Sequence, residues 1–221
     1  QYLEPDSDIT IEDITNLIGL YLDADMGDSR AVDLGLSVMW AGMNVGASAP
    51  EDCGHYFAYG ETEPKATYSW DTYKWWSAEQ GGPSKYNPDS LAGGIPHYKY
   101  TLDLADDAAY TNWGAPWRMP TYDELDELMN SCTWAWTTQN GMNGYRVTGP
   151  NGNSIFLPAA GHYSSSWPSS IGMTGNYRSS AVTSTSPSNA YGLKFNAYSY
   201  DMESCYRPFF PQKTTFIPFP I

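Results

Sequence analysis

The segment from Trp117 to Met129 contains the best-defined helix start in this sequence and constrains the fold around it. Thr121 stands three residues before Glu124, which is the spacing of a capping box: the hydroxyl and the carboxylate each accept a hydrogen bond from a free amide at the helix start. Apolar residues then recur on one helix face, at Leu125, Leu128, Met129 and Cys132. The pattern predicts a helix of about three turns that docks on a sheet.

Composition limits what surrounds this helix. The 221 residues include 18 Tyr, 9 Trp, 20 Gly and 16 Pro, and only 16% are charged, which favours a turn-rich globule over a helical bundle. A chain of this length buries about 70% of its unfolded surface, so we expect one sizeable domain. No apolar run approaches the roughly 18 residues of a membrane span. The sequence starts with neither an initiator Met nor a signal peptide, so we expect a mature or trimmed chain.

The net charge of −14 is unevenly distributed. Residues 1–30 carry eight acidic side chains and one basic one, whereas residues 133–221 carry two acidic and five basic ones. No basic stripe is available to neutralise phosphates, so we expect no nucleic-acid partner. We also expect no membrane insertion of this chain.

The cysteines and the acidic side chains give few signals of metal binding. Cys53, Cys132 and Cys205 are far apart and form no C-x-x-C motif, which predicts buried free thiols, although one bridge between two of them stays open. Asp103, Asp106 and Asp107 offer oxygen ligands for a cation, but three acids in a loop are more typical of a solvated turn. We therefore predict no metal and no cofactor.

Residues 1–30 are predicted to form a helical stub and linker ahead of the main domain. An amphipathic helix is expected over residues 8–24, followed by a linker of Asp, Gly and Ser. The stretch 8–22 resembles the helix half of a dockerin-type repeat. Tyr2 and Pro5 occupy positions where such a repeat places calcium ligands, so the loop half does not match. The alternative is a short helix packed on the domain or left from a removed neighbour.

Short strands are predicted along much of the remaining chain. Alternating apolar residues over 32–40, with a turn or bulge at Gly35, indicate two short strands, and residues 56–59 form a further candidate. From 61 to about 113 no period is sustained, which is typical of a long segment that is functional or held down by its own aromatic residues. A meander follows the helix, with strands predicted at 134–136, 145–147, 154–157, 175–181 and 190–195, and a Ser-rich loop at 161–170.

Eight motifs in this order resemble the Fibrobacter succinogenes major paralogous domain, a family abundant in surface proteins of gut Bacteroidetes. They include Trp117-Arg-Met-Pro-Thr121 and Ser154-Ile-Phe-Leu-Pro-Ala-Ala-Gly161, and the full set lies at 32–40, 44–47, 57–62, 117–121, 133–137, 140–145, 154–161 and 175–177. The resemblance spans about residues 31–210. It implies the formylglycine-generating-enzyme (sulfatase-modifying-factor) branch of the C-type lectin fold. We therefore expect an α+β, C-type-lectin-like domain over residues 31–221, with short antiparallel strands, one to two docked helices and long irregular loops.

The sequence departs from that family in two respects. Arg178 stands where the family commonly has Trp after Gly-Asn-Tyr. The family's closing strand corresponds either to residues 205–209 or to residues 216–221, and the sequence leaves this choice open.

The shared fold suggests an oxidase as one function, but the residues do not favour it. Formylglycine-generating enzymes use clustered cysteines that bind copper, whereas Cys205 has no second cysteine within forty residues. His55, His97 and His162 are isolated from one another in the sequence. A shared fold alone does not transfer an activity, so we expect a protein that is not an enzyme.

The composition of residues 161–210 favours ligand recognition instead. This stretch is rich in Ser, Tyr, Asn and Gly and poor in Lys and Glu, which is the chemistry of an antibody-like binding surface. In C-type-lectin-like folds the corresponding loops form the ligand face. The predicted ligand-binding residues are Trp167, Arg178, Tyr198, Tyr200, Asp201, Glu203, Tyr206 and Arg207. The alternative is that these side chains solvate a β-rich surface and fill a small second core.

Three more specific hypotheses follow from the same stretch. Residues 196–206 contain several residues that adenine-directed mutagenesis of Asn-type codons produces, as in variable proteins of diversity-generating retroelements. Neither Glu-Pro-Asn nor Gln-Pro-Asp is present, so we expect no calcium-dependent sugar binding, and a glycan ligand bound without calcium stays open. A structural module of a surface or pilus assembly would have the same composition. We expect an exported or cell-surface adhesin-like location in each case.

Overall fold

A computed structural model describes residues 30–87, 97–184 and 186–208 of the chain. From Ala31 onward these residues belong to one compact unit. The predicted helix at 8–24 with its dockerin-like segment, and the closing residues 211–221, lie outside the described residues. No helix in the described part is long and apolar enough to cross a membrane.

The fold is α+β, with two α-helices and twelve short strands in the described residues. Every strand pairing is antiparallel. The elements are β1 (Ala31–Val32), β2 (Trp40–Ala41), β3 (Trp76–Ser77), β4 (Gly82–Pro83), α1 (Ala108–Trp113), α2 (Tyr122–Ser131), β5 (Thr133–Gln139), β6 (Met142–Thr148), β7 (Ser154–Pro158), β8 (His162–Ser164), β9 (Trp167–Ser169), β10 (Thr174–Val182), β11 (Asn189–Asn196) and β12 (Tyr200–Tyr206).

The helix predicted from the capping box is α2, and the prediction is confirmed. Glu124 N donates to Thr121 Oγ1 at 3.2 Å, and Thr121 N donates to Glu124 Oε2 at 2.7 Å. Arg118 holds the same carboxylate through two guanidinium hydrogen bonds of 2.9 and 2.5 Å. Leu125 and Leu128 are buried in the main core. The helix start is therefore fixed by local contacts as well as by packing.

Two three-stranded sheets, in the orders β5-β6-β7 and β10-β11-β12, form the centre of the domain. All five strands predicted after the helix are present. Apolar side chains from both sheets, from α2 and from residues 34–40 pack into one core. Its buried members are Leu34, Leu36, Val38, Trp40, Leu125, Leu128, Tyr145, Val147, Ile155, Leu157, Ala159, Tyr177, Leu193 and Phe195.

The segment from Ala31 to Ala41 forms the two predicted short strands, but they are only two residues each. Between them the backbone bends, and Gly35 adopts a positive φ of 73°. Such a conformation suits glycine because it has no Cβ. Burial still alternates through the bend, so the apolar pattern reflects contact with the core and not a continuous strand.

Two predictions of local structure are wrong. Residues 56–59 are buried but form no strand. Residues 161–170 contain the β8–β9 hairpin where a loop was predicted. Residues 61–113, where no period is sustained, contain α1 and the β3–β4 hairpin. These hairpins have strands of only two or three residues, too short to produce a recognisable alternation.

Tyrosine hydroxyls hold the irregular segments in place, as the aromatic-rich composition suggested. Tyr56 donates to Ala160 O at 2.6 Å, Tyr59 to Ser180 O at 2.6 Å, and Tyr73 to Tyr59 O at 2.8 Å. Each ring is buried, so the side chain adds apolar packing, and its hydroxyl donates a hydrogen bond to a main-chain carbonyl.

Candidate binding surface

The β11–β12 hairpin places two of the predicted site residues at one end of the domain. Its turn is fixed by Asn196, whose Oδ1 accepts hydrogen bonds from Tyr198 N at 2.8 Å and Ser199 N at 3.2 Å. Asn196 N also donates to Ser199 O at 2.9 Å. Asn is suited to this role because its short side chain bonds to main chain two residues on. The backbone of the turn is therefore held while its side chains face outward.

Tyr198 and Tyr200 use this turn in different ways. The Tyr198 side chain is 96% exposed, the highest value among the large apolar residues of the described chain. Tyr200 is 36% exposed because its ring stacks on Trp134, with centroids 4.5 Å apart and planes 19° apart. Tyr198 is thus presented to solvent, and Tyr200 joins the turn to the core.

A second loop brings two more apolar side chains to the same end. Thr174 is the pairing partner of Asn196, so Met173 lies beside the hairpin turn. The loop is held by a hydrogen bond of 3.1 Å from Asn143 Nδ2 to Gly172 O. Met173 is 67% exposed and Ile171 43% exposed. We call Ile171, Met173, Tyr198 and Tyr200 the turn-end surface.

The two acidic site residues lie on the solvent-facing side of β12. Asp201 and Glu203 are exposed, and Glu203 pairs with Lys194 on β11 at 3.0 Å. An ion pair this exposed contributes about 0–1 kcal/mol, so the carboxylates add charge to the strand more than stability.

Tyr206 and Trp167 are exposed but are not part of the β11–β12 turn. Tyr206 ends β12, about 20 Å from Tyr200 at the rise of an extended strand, and its ring meets Trp70 edge to face at 6.4 Å. Trp167 is 72% exposed on the β8–β9 hairpin. The structure therefore does not bring all the predicted aromatic residues into one patch.

Arg178 and Arg207 do not reach the surface at all, being 1% and 0% exposed. Arg178 donates to Cys205 O at 3.2 Å and Tyr206 O at 2.6 Å. Arg207 donates to Lys85 O at 3.0 Å and to Tyr86 O. Both guanidinium groups fasten main chain inside the domain, so we leave both residues out of the binding surface. Burial lowers the pKa of Arg178.

The three aspartates considered for a cation are held by protein groups. Lys99 and Lys85 contact Asp103 at 2.6 and 2.9 Å, and their hydrogen bonds lower its pKa to about 2. Burial raises the pKa of Asp106, but hydrogen bonds from Lys85 and the Tyr86 hydroxyl outweigh it and leave the pKa below its usual value. The described residues contain no cluster of three or more His, Cys, Asp or Glu side chains able to hold a metal.

Asp107 has a separate structural role. Its carboxylate caps α1 by accepting from Ala109 N at 2.8 Å and also accepts from Met119 N at 2.8 Å. Asp106 and Asp107 are 4% and 2% exposed, so the prediction of a solvated turn is wrong for both.

The cysteines and His162 are the remaining side chains considered for catalysis. Cys53, Cys132 and Cys205 are free thiols; only Cys205 is buried, and burial raises its pKa. His162 is half-buried, and burial together with the charge of Lys194 lowers its pKa. A thiol with a raised pKa is a poor nucleophile, and this applies to Cys205.

One open pocket of about 290 Å³ lies away from the turn-end surface. Its basic side chains are already engaged: Lys65 contacts Glu61 at 2.7 Å, and Lys74 contacts Asp106 at 3.3 Å. The lining residues are Glu61, Thr62, Glu63, Pro64, Lys65, Thr72 and Lys74. The pocket is a second place where a small ligand has room to bind.

Sequence reasoning missed Ile171 and Met173. Both lie in the stretch 170–173, where Gly172 adopts a positive φ of 75° and Ser170 one of 58°. An apolar residue on each side of a turn-forming glycine is the signal that was available.

Comparison of the chain with protein-family models, with curated proteins and with solved structures gives no match.

Proposed function

We propose that this chain is a non-enzymatic recognition module that binds a protein or glycan ligand through the turn-end surface. The observation that carries the proposal is the exposure of Met173 and Tyr198, at 67% and 96%, on two adjacent loops whose backbones are held by hydrogen bonds. Apolar side chains gathered on a surface and kept there by ordered backbone are typical of interaction sites.

The geometry favours binding at low entropic cost. The Asn196 side chain fixes the hairpin turn, and the Asn143 amide fixes the loop at Gly172. A ligand that contacts these loops orders few additional main-chain bonds, which reduces the free-energy cost of association. Tyrosine supplies a rigid ring with a polar hydroxyl, and methionine adapts to an irregular partner.

Further parts of the proposal rest on the motif order and the antiparallel meander. We propose a C-type-lectin-like fold for residues 31–221 and an exported or cell-surface location on a bacterium of the Bacteroidetes type. Variability of residues 196–206 by a retroelement belongs to the same proposal. Tyr198, Asp201 and Glu203 are exposed within this range, so changes at these three positions would alter ligand contacts without disturbing the core.

The test is a glycan-and-protein array run with and without calcium. Wild type is compared with a Met173→Ala/Tyr198→Ala variant, which removes exposed side chains only. A Trp167→Ala/Tyr206→Ala variant is the control, since it removes two exposed aromatic residues, at 72% and 53%, that are not part of the turn-end surface. Each variant is melted first to show that it folds.

We expect the first variant to lose about tenfold or more in affinity for any hit, and the control to keep it. A hit that survives the first variant and is lost in the control would overturn the turn-end surface as the site. A hit that survives both would move the site to the pocket at Glu61 and Lys74. An array on which the wild-type protein binds no ligand, with or without calcium, would favour the alternative, a structural module of a surface or pilus assembly.

A further inference from the structure

β12 forms one edge of its sheet, whose order is β10-β11-β12. The strand is seven residues long, and among its residues only Cys205 is buried. An exposed edge presents main-chain N–H and C=O groups in a row, and such a row pairs readily with another strand.

The direction of each main-chain group on β12 follows from its pairing with β11. Arg207 N donates to Ser188 O at 3.0 Å, and Asn196 N donates to Ser199 O at 2.9 Å. Both pairs share the register that joins Asn189 to Tyr206 and Phe195 to Tyr200. Hydrogen-bonded pairs alternate along an antiparallel ladder, so residues 199, 201, 203, 205 and 207 face β11. Residues 200, 202, 204 and 206 face the open edge.

Two of the outward groups are engaged by side chains. Met202 N donates to Asp201 Oδ1 at 2.7 Å, and Tyr206 O accepts from Arg178 at 2.6 Å. Within the described residues, no main-chain group outside the β11 pairing is bonded to Tyr200 or Ser204. Among the residues that the structure describes, the edge is therefore open at Tyr200 and Ser204 and partly closed at Met202 and Tyr206.

The two faces of the strand define what an added strand must carry. Tyr200 stacks on Trp134, and Met202 packs against the main core, so neighbours on that face are apolar. Asp201 and Glu203 are exposed on the opposite face. Side chains directly opposite across a strand pair interact, and opposite charges there are favourable.

We propose that β12 takes an extended peptide with alternating basic and apolar residues as a fourth strand of its sheet. The basic side chains lie opposite Asp201 and Glu203, and the apolar ones lie beside Tyr200 and Met202. Asp201 and Glu203 are the two acidic residues of the stretch 133–221, so the negative charge of that stretch lies on this strand. The edge of β12 differs from the turn-end surface, and Tyr200 is the one residue that belongs to both.

A second copy of the chain is a poorer occupant of the same edge when the pairing is centred on Met202 or on Glu203. Two β12 strands paired about a two-fold axis through Met202 place Asp201 of each copy opposite Glu203 of the other. A pairing centred on Glu203 places the two Glu203 side chains opposite each other. Like charges directly opposite destabilise a strand pair.

The experiment measures fluorescence anisotropy of a labelled seven-residue peptide of alternating lysine and valine, titrated with the full chain at low salt. The protein variants are Ser204→Pro and Ser204→Ala. Proline removes the outward N–H of Ser204 and is tolerated at an edge, whereas alanine keeps it. The peptide controls are the same sequence with methylated main-chain nitrogens at alternate residues, and one with glutamate in place of lysine.

We expect binding of the lysine–valine peptide to weaken about tenfold or more with Ser204→Pro and with main-chain methylation, and to be unchanged with Ser204→Ala. The Met173→Ala/Tyr198→Ala variant should bind this peptide as wild type does, which separates the edge from the ligand site. The proposal is overturned if the methylated peptide binds wild type equally, since charge alone would then explain the signal. Absence of binding, or a dimer in sedimentation that Ser204→Pro dissociates, would overturn it as well.

Discussion

The Tyr200 ring lies flat on the Trp134 indole, with centroids 4.5 Å apart, and thereby connects the β11–β12 hairpin to β5 of the other sheet. Tyr145 meets the same tyrosine edge to face at 5.7 Å. Tyr198, two residues earlier, is 96% exposed. The two tyrosines therefore have two different tasks: Tyr200 holds the hairpin in position, and Tyr198 presents its side chain to solvent.

Substitution should separate those two tasks. We expect Tyr200→Ala to lower the free energy of unfolding by about 1–3 kcal/mol, through lost stacking and lost apolar burial. Tyr198→Ala should change it by less than about 0.5 kcal/mol, as exposed substitutions usually do. Urea denaturation measures both, and Tyr200→Phe, which keeps the ring, is the control. Equal effects of the two alanine substitutions would contradict the division.

The sequence predicts those parts of the fold that leave a local sequence pattern, and misses those that do not. The start of α2 was predictable because Thr121 and Glu124 lie within one turn and bond to each other's main chain. The meander was predictable because turns rich in Asn and Gly separate its strands. The β8–β9 hairpin was not, since strands of three residues give no periodic pattern and a Ser-rich stretch suits a loop equally well.

The candidate site was predictable only in part. Composition indicated an aromatic surface near the C-terminal part of the chain, and Tyr198 lies on one. Burial of Arg178 and Arg207 depends on carbonyl groups that reach them from 27 or more positions away, such as Cys205 O and Tyr86 O. Such contacts leave no local sequence pattern. A charged residue in a polar stretch therefore has the same sequence signature whether it binds a ligand or fastens the backbone.

A structural role for Arg178 predicts a large loss of stability on substitution. Arg178→Met keeps most of the apolar volume but removes the hydrogen bonds to Cys205 O and Tyr206 O. We expect the free energy of unfolding to fall by about 2–4 kcal/mol, because buried carbonyls lose a charged donor. Arg146→Met, at an exposed position of β6, is the matched control and should cost less than about 0.5 kcal/mol. A stable Arg178→Met protein would contradict this structural role.

The capping box predicts a smaller and more local effect. Thr121→Ala removes the acceptor of the Glu124 amide and should lower the free energy of unfolding by about 1 kcal/mol. Thr121→Ser retains the hydroxyl and should recover most of that loss. Thermal or urea unfolding followed by circular dichroism measures the three proteins side by side. Equal stabilities of the alanine and serine variants would show that packing of Leu125 and Leu128 alone determines the helix start.

The lysine–aspartate network at residues 85, 99, 103 and 106 predicts a loss of stability in acid. The pKa of Asp103 lies at about 2 in the folded chain, lowered by hydrogen bonds from Lys99 and Lys85, against about 3.9 for an unfolded aspartate. Because the folded pKa is the lower one, the contribution is fully present above about pH 4 and is lost as the pH falls towards about 2. Solvent screens this exposed pair, so we expect a change of about 1 kcal/mol or less.

Urea unfolding between pH 2 and 7 tests this prediction with Asp103→Asn, which keeps the shape of the side chain and cannot titrate. The variant should be less stable than wild type above about pH 4, and the difference should shrink as the pH falls towards about 2, because Asp103 in wild type then takes up its proton. Asp126→Asn, at an exposed position of α2, should leave the pH profile of wild type nearly unchanged. A difference between wild type and Asp103→Asn that stays constant with pH would mean that the carboxylate acts through its shape and hydrogen bonds alone.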